Sequence, residues 1–196
     1  MRLHLVLVAA LVMLPVATRA QTTVTRGQRL SETGAIRVYS LVGSVRIRGW
    51  SRDSIDVRGS LGKGSSLHMG GGPSGVKMFV EDDNDRNPAA SKLEIMVPSR
   101  AKVWVKTATA DIVVSGVVGS LDLYVVSGNI RVKGNPADIN AEAIDGSITI
   151  DGSPGWLRAK SASGAVTLAG STSDATISTV SGNISVRGSK FEKAEC

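Results

Sequence analysis

Residues 126–134 read VSGNIRVKG and residues 180–188 read VSGNISVRG, a near repeat of nine residues displaced by 54 positions. That displacement is three intervals of 18, and the interval recurs through the second half of the chain. Gly128, Gly146, Gly164 and Gly182 stand 18 apart, as do Gly116, Gly134, Gly152, Gly170 and Gly188. Aliphatic positions keep the same interval. Ile112, Ile130, Ile148, Val166 and Ile184 form one column, and Val114, Val132, Ile150, Leu168 and Val186 form a second. A further pair begins at Val103, Leu121, Ile139, Leu157, Ala175 and at Val105, Leu123, Ala141, Ala159, Ile177.

Between the members of each pair lies a mostly polar residue, such as Arg131, Thr149, Thr167 and Ser185. Alternation of period two marks a half-buried strand. Each 18-residue unit therefore holds two short strands separated by turns. One unit is too small to bury its apolar face alone, whereas units stacked in register share one continuous core. The expected fold class is all-β: a β-solenoid, or single-stranded β-helix, with 18-residue coils and two short strands per coil. The Gly following Ser127, Asp145, Ser163 and Ser181 is expected to turn a corner at positive φ, where a Cβ is costly.

The regular coils are expected over 103–188, with an incomplete last coil over 189–196. Upstream, the runs GAIRVYS, GSVRIRGW and SIDVRG alternate in the same manner. They read as irregular N-terminal coils within 34–98. A Gly-rich stretch, the run GVKMFV and the polar segment EDDNDRNPAAS interrupt them, and LEIMVP resumes the strand pattern. The whole of 21–196 is read as one domain.

The first twenty residues, MRLHLVLVAALVMLPVATRA, have a basic start, an apolar run and small residues before Gln21. That is the plan of a secretory signal peptide over 1–20. The chain is accordingly expected to be exported, to the periplasm or the cell exterior, with no integral membrane segment after cleavage. Removal of Arg2 and Arg19 lowers the net charge from +6 to +4. A basic exported protein meets anionic glycans and envelope surfaces, not nucleic acid. The single cysteine, Cys196, excludes an internal disulfide and leaves pairing between chains as its use in edge-to-edge self-association.

The stretches GSVRIRGWSRDSIDVRGSLGKG and LEIMVP, followed by repeated SGxIxVxG units, resemble the bacterial putative-adhesin family, from roughly Val24 to Gly188. The resemblance implies a stacked β fold, an extracytoplasmic location and an adhesin-like or scaffolding role. It brings no catalytic residues with it.

A search for chemistry excludes most alternatives. Outside 1–20 there is one His, His68, so neither a nucleophilic triad with its own base nor a zinc site is supplied. GSLGKG fails as a phosphate loop, because Lys63 precedes Gly64 and Val57 stands where the first Gly belongs. Asp83, Asp85, Asn87 and Glu94 fit a calcium-loop spacing within and beyond the acidic loop 81–87, but Pro88 occupies the position that needs Gly. The outward acids Asp122, Asp138, Glu142 and Asp174 are spread over three columns, mixed with Ser, Asn and Thr, against a polysaccharide-cleaving pair. No catalytic residue, metal or cofactor is expected.

What remains is surface. If Val103 and Val105 face inward, Lys102, Trp104 and Lys106 face outward, with Tyr124 one coil on and Trp156, Arg158 and Lys160 two coils further. Aromatic rings beside cations suit stacking on sugar faces and pairing with acidic groups. These seven residues are the candidate binding surface for an envelope glycan or other anionic ligand. The alternatives are a polysaccharide-processing enzyme and a self-assembling structural protein. A second basic set, Arg37, Arg46, Arg48, Arg52 and Arg58, lies in the early strands.

Overall fold

The computed structural model describes residues 21–188 except Asp85, together with the backbone of 191–195. The signal-peptide assignment to 1–20 and the assignment of Cys196 to pairing lie outside the described residues. All elements are strands: β1 (Thr22–Arg29), β2 (Ala35–Trp50), β3 (Ser54–Leu61), β4 (Ser65–Gly72), β5 (Gly75–Asp82), β6 (Ser91–Pro98), β7 (Lys102–Ser115) and β8 (Ser120–Ser127). They continue as β9 (Ile130–Lys133), β10 (Asp138–Asp145), β11 (Ile148–Asp151), β12 (Trp156–Ser161), β13 (Val166–Ala169), β14 (Thr172–Thr179), β15 (Ile184–Arg187) and β16 (Phe191–Glu195). No helix occurs among the described residues, and so none long and apolar enough to cross a membrane.

Hydrogen bonding arranges these strands in two ladders of rows. In the first, parallel pairing joins the early half of β2 to that of β7, then β8, β10, β12 and β14. In the second it joins the late halves of β2 and β7, then β9, β11, β13 and β15. From β7 to β15 every partner lies 18 residues away, as in Val103 opposite Leu121 and Ile130 opposite Ile148. The Gly and Ile columns of the sequence are thus real neighbours in space. At the end of the first ladder the offset changes to 19, with Asp174 opposite Lys193.

The inward columns form one core. Ile36, Val38, Leu123, Ile139, Leu157, Ile112, Ile130, Ile148 and Leu168 are essentially inaccessible and belong to one cluster spanning both ladders. Burying one such side chain stabilises the fold by about 1.5–3 kcal/mol relative to leaving it exposed. Polar side chains near the corners bond from row to row: Asn129 N and Nδ2 donate to Asp111 Oδ1 at 2.8 and 3.2 Å, and Ser147 N donates to Asn129 Oδ1 at 3.2 Å.

Two expectations need correction. The segment 34–98 is not a run of irregular coils. β5 and β6 do run parallel to β2, but β3 is antiparallel to both β6 and β1, and β4 is antiparallel to β5. The Gly-rich run SSLHMGGG is itself a strand, which returns into GVKMFVED through the two residues Pro73 and Ser74. Chain order and row order also part here. β2 lies between the β5–β6 row and β7, and its partner in β7 is 67 residues away, as in Ala35 opposite Lys102.

The second correction concerns the glycines. Positive φ occurs at Gly116, Gly134, Gly152 and Gly170, not at Gly128, Gly146 or Gly164. The latter column is glycine because of crowding. A Cβ on Gly146 would overlap the carbonyl of Gly128 in the preceding row, and one on Gly164 would overlap that of Gly146.

Candidate binding surface

Inward burial of Ile36 and Val38, Val76 and Met78, Val103 and Val105, and Leu121 and Leu123 turns the alternate residues of these rows outward on the first ladder. Register then fixes one column: His68 pairs with Phe79, Phe79 with Tyr39, Tyr39 with Lys106, and Lys106 with Tyr124. Two residues along the strands a parallel column holds Lys77, Arg37, Trp104 and Asp122. The two columns make a platform of aromatic rings and cations over five successive rows.

The rings are ordered against one another. Tyr39 and Trp104 meet edge to face with centroids 4.8 Å apart, and His68 stacks on Phe79 at 4.8 Å. Lys77 Nζ lies 5.4 Å from the Tyr39 ring and 5.8 Å from that of Phe79, while Lys106 Nζ lies 5.1 Å from the Tyr124 ring. Such contacts hold flexible lysine heads above the sheet without neutralising them. His68 Nε2 is 2.8 Å from Glu81 Oε2 and 3.1 Å from Ser66 Oγ, which fixes the ring at the platform's outer row.

Beside Trp104 the surface dips. Arg37, Lys102, Trp104, Ser120 and Asp122 line an open depression of about 360 Å³, floored by Ile36, Val103 and Leu121. Asp122 accepts a hydrogen bond from Asn140 Nδ2 at 3.2 Å, which leaves its other carboxylate oxygen for a hydroxyl donor. One ring face, two cations and one acceptor are the chemistry that a charged sugar can use.

The seven residues expected from the sequence divide in two. Trp104, Lys106 and Tyr124 sit together on the platform, with Lys102 beside them on the wall of the depression. Trp156, Arg158 and Lys160 share the same outward columns, but the row Asp138, Asn140 and Glu142 separates them from Tyr124. Arg37, Tyr39, Lys77, Phe79 and His68 complete the platform and were missing from the expected set. Their alternation in AIRVYS and GVKMFV marks them as outward-facing, but nothing in an 18-residue interval says that these strands abut Lys102–Lys106.

The second basic set is dispersed. Arg37 belongs to the platform, whereas Arg46 and Arg58 lie on the second ladder with Glu94 paired between them. Arg58 Nε also bonds Asp56 at 2.9 Å, and Arg52 covers the Trp50 ring at 5.0 Å. Glu94 is therefore a strand residue flanked by arginines, remote in role from a calcium loop. Asp85 lies outside the described residues. Among those described, no group of three His, Cys, Asp or Glu is placed to hold a metal. Asp82 instead staples the acidic loop. The Ser65 hydroxyl at 2.7 Å, the Asn84 N–H at 2.9 Å and the Ala89 N–H at 3.0 Å all donate to its carboxylate. Led by the Ser65 bond, these donors hold its pKa below the ordinary value, against an opposing contribution from burial.

No family model matches the sequence, and no curated protein matches it. Among solved structures, one described as a "putative cell adhesion protein" from Clostridium sporogenes is 8% identical, with a TM-score of 0.53 over 86% of this chain and 100% of that one. A "putative adhesin" from Bacteroides fragilis is 13% identical over 90% of this chain and 98% of that one, with a TM-score of 0.32. The chain is thus similar in fold to the Clostridium sporogenes protein, and the motifs in its sequence resemble the putative-adhesin family.

Proposed function

We propose that this protein is an exported, non-enzymatic β-solenoid of 18-residue coils that binds an anionic glycan of the cell envelope through the platform on its first ladder. The observation that carries the reading is the column Phe79, Tyr39, Lys106, Tyr124 with Trp104, Arg37 and Lys77 beside it, set row by row in fixed register. Rows repeat about every 4.8 Å, so a linear polymer laid along the stack meets a ring or a cation at each step. The rings supply apolar faces for sugar C–H groups, and Arg37, Lys77, Lys102 and Lys106 supply charge for carboxylate or sulfate. A rigid, extended sheet face suits such contact because little conformational entropy is lost on binding.

The test is retention on an immobilised uronic-acid polysaccharide at low salt. Trp104→Ala and Lys106→Ala are each expected to weaken retention at least tenfold with the far-UV circular dichroism unchanged. Unaltered retention of both variants would overturn the reading. Because the cations act on charge, retention is also expected to fall as salt rises.

A further inference from the structure

Two residues beyond the aromatic column, the outward position is aliphatic in six consecutive rows. Register brackets Leu41, Ala108, Val126, Ile144, Ala162 and Val180 side by side, since Ser40 pairs with Thr107, Thr107 with Val125, Val125 with Ala143, Ala143 with Ser161 and Ser161 with Thr179. Leu41, Val126 and Ile144 are 41%, 39% and 47% exposed. At about 4.8 Å per row the stripe is roughly 24 Å long. Its first rows are hollowed into an apolar notch of about 210 Å³, walled by Leu41, Val80, Ala108 and Val126, with Tyr39 and Lys106 at one side. Ser40, an inward-facing residue of these rows, also lines the notch. It is buried, and its Oγ has no hydrogen-bond partner. Soluble surfaces carry scattered apolar residues, whereas a contiguous apolar line running from a notch marks a contact.

A second copy of the chain is a poor occupant. A two-fold axis at the stripe's centre sets Lys106 against Lys160. An alkyl chain carries no such conflict. The Trp104 depression and the notch lie on either side of the Tyr39–Trp104 ring pair, and Arg37 and Leu41, four residues apart on one strand, put them about 13 Å from each other. Lys106 stands between them.

We infer that the ligand of the platform is an acylated anionic saccharide, whose sugar occupies the Trp104 depression and whose alkyl chain lies in the notch and along the stripe. The inference rests on the proposed glycan-binding reading and adds the second half of the ligand. Lys106 meets the charge at the junction, and Leu41 and Val126 flank the first methylenes.

Calorimetric titration of the full chain with methyl, octyl and dodecyl β-glucuronides, each below its micelle concentration, separates the two readings. Octyl glucuronide is expected to bind at least tenfold more tightly than the methyl compound. Burial of two methylenes at about 0.8 kcal/mol each already supplies that factor. Val126→Asn, at an exposed position, is expected to abolish the gain while leaving methyl glucuronide binding unchanged, and octyl glucoside is expected to bind more weakly than octyl glucuronide. Equal binding of the methyl and octyl compounds, or a gain that survives Val126→Asn, overturns the inference and leaves the glycan reading standing. Absence of binding by all three glucuronides overturns both.

Discussion

Gly146→Ala probes the stack where its tolerance is smallest. The added Cβ falls well inside 3.0 Å of the backbone carbonyl of Gly128, a distance real Cβ atoms do not reach. No rotamer change relieves the overlap, because the obstruction is main chain. Gly164 rests on Gly146 in the same way and Gly182 on Gly164, so a displaced row disturbs the next. Overfilling a packed site costs about 1–3 kcal/mol. The corner bonds at risk include Gly128 N to Asp145 O at 3.1 Å and Ser161 Oγ to Gly146 O at 3.0 Å, each contributing about 0.5–1.5 kcal/mol. The expected loss is therefore about 3 kcal/mol. Urea unfolding followed by far-UV circular dichroism reads it as a midpoint lowered by about 1–3 M, given a slope of about 1–3 kcal/mol per M. Gly70→Ala is the control, since nothing lies within 4 Å of its Cβ, and it is expected to stay within about 0.5 kcal/mol of wild type. A Gly146→Ala midpoint equal to that of Gly70→Ala would refute close approach as the reason for this glycine column.

Two further outcomes follow from the core and from the acidic loop. Ile148→Ala, fully buried between Ile130 and Val166, is expected to cost about 2–5 kcal/mol, whereas Ile184→Ala in the same column, 36% exposed, is expected to cost under half as much; equal losses in urea unfolding would contradict the packing. The Asp82 pKa is lowered in the folded state, so its stabilisation is complete above the unfolded carboxylate value of about 3.9 and is lost as pH falls from there through the folded value. Hydrogen exchange at the Asn84 and Ala89 amides, corrected for intrinsic rate, is expected to show protection that declines across that window, and protection independent of pH would count against the staple.

Much of the second half of the fold was legible because each 18-residue unit pairs its strands with those of the next, so spatial contact is written as a fixed offset. Ile130, Ile148 and Val166 could be placed side by side from the sequence alone. The same logic failed upstream. Offsets of 67 from β2 to β7 and 48 from β2 to β6 carry no period, and alternation in SIDVRG does not distinguish parallel from antiparallel pairing. Half of the candidate surface was illegible for that reason: Lys102, Trp104, Lys106 and Tyr124 lie where the 18-residue interval runs, whereas Tyr39, Lys77 and Phe79 sit on strands whose row was invisible. The Gly128–Gly146–Gly164 column was found but misread, since a glycine at positive φ and a glycine under a carbonyl look alike in sequence.

The displaced position of β2 governs how the molecule assembles. Successive rows from β7 onward close loops of 18 residues, whereas docking β2 on β7 closes one of 67. On chain-entropy grounds that step is less favourable by about 1 kcal/mol, and such distant pairings form slowly. The later rows can pair locally while Ala35–Trp50 is still unattached. Tyr39 and Arg37 take their places beside Lys106 and Trp104 only once that long loop has closed, and the β5 row docks on β2 in turn, so the ring-and-cation platform is complete only when the N-terminal rows are.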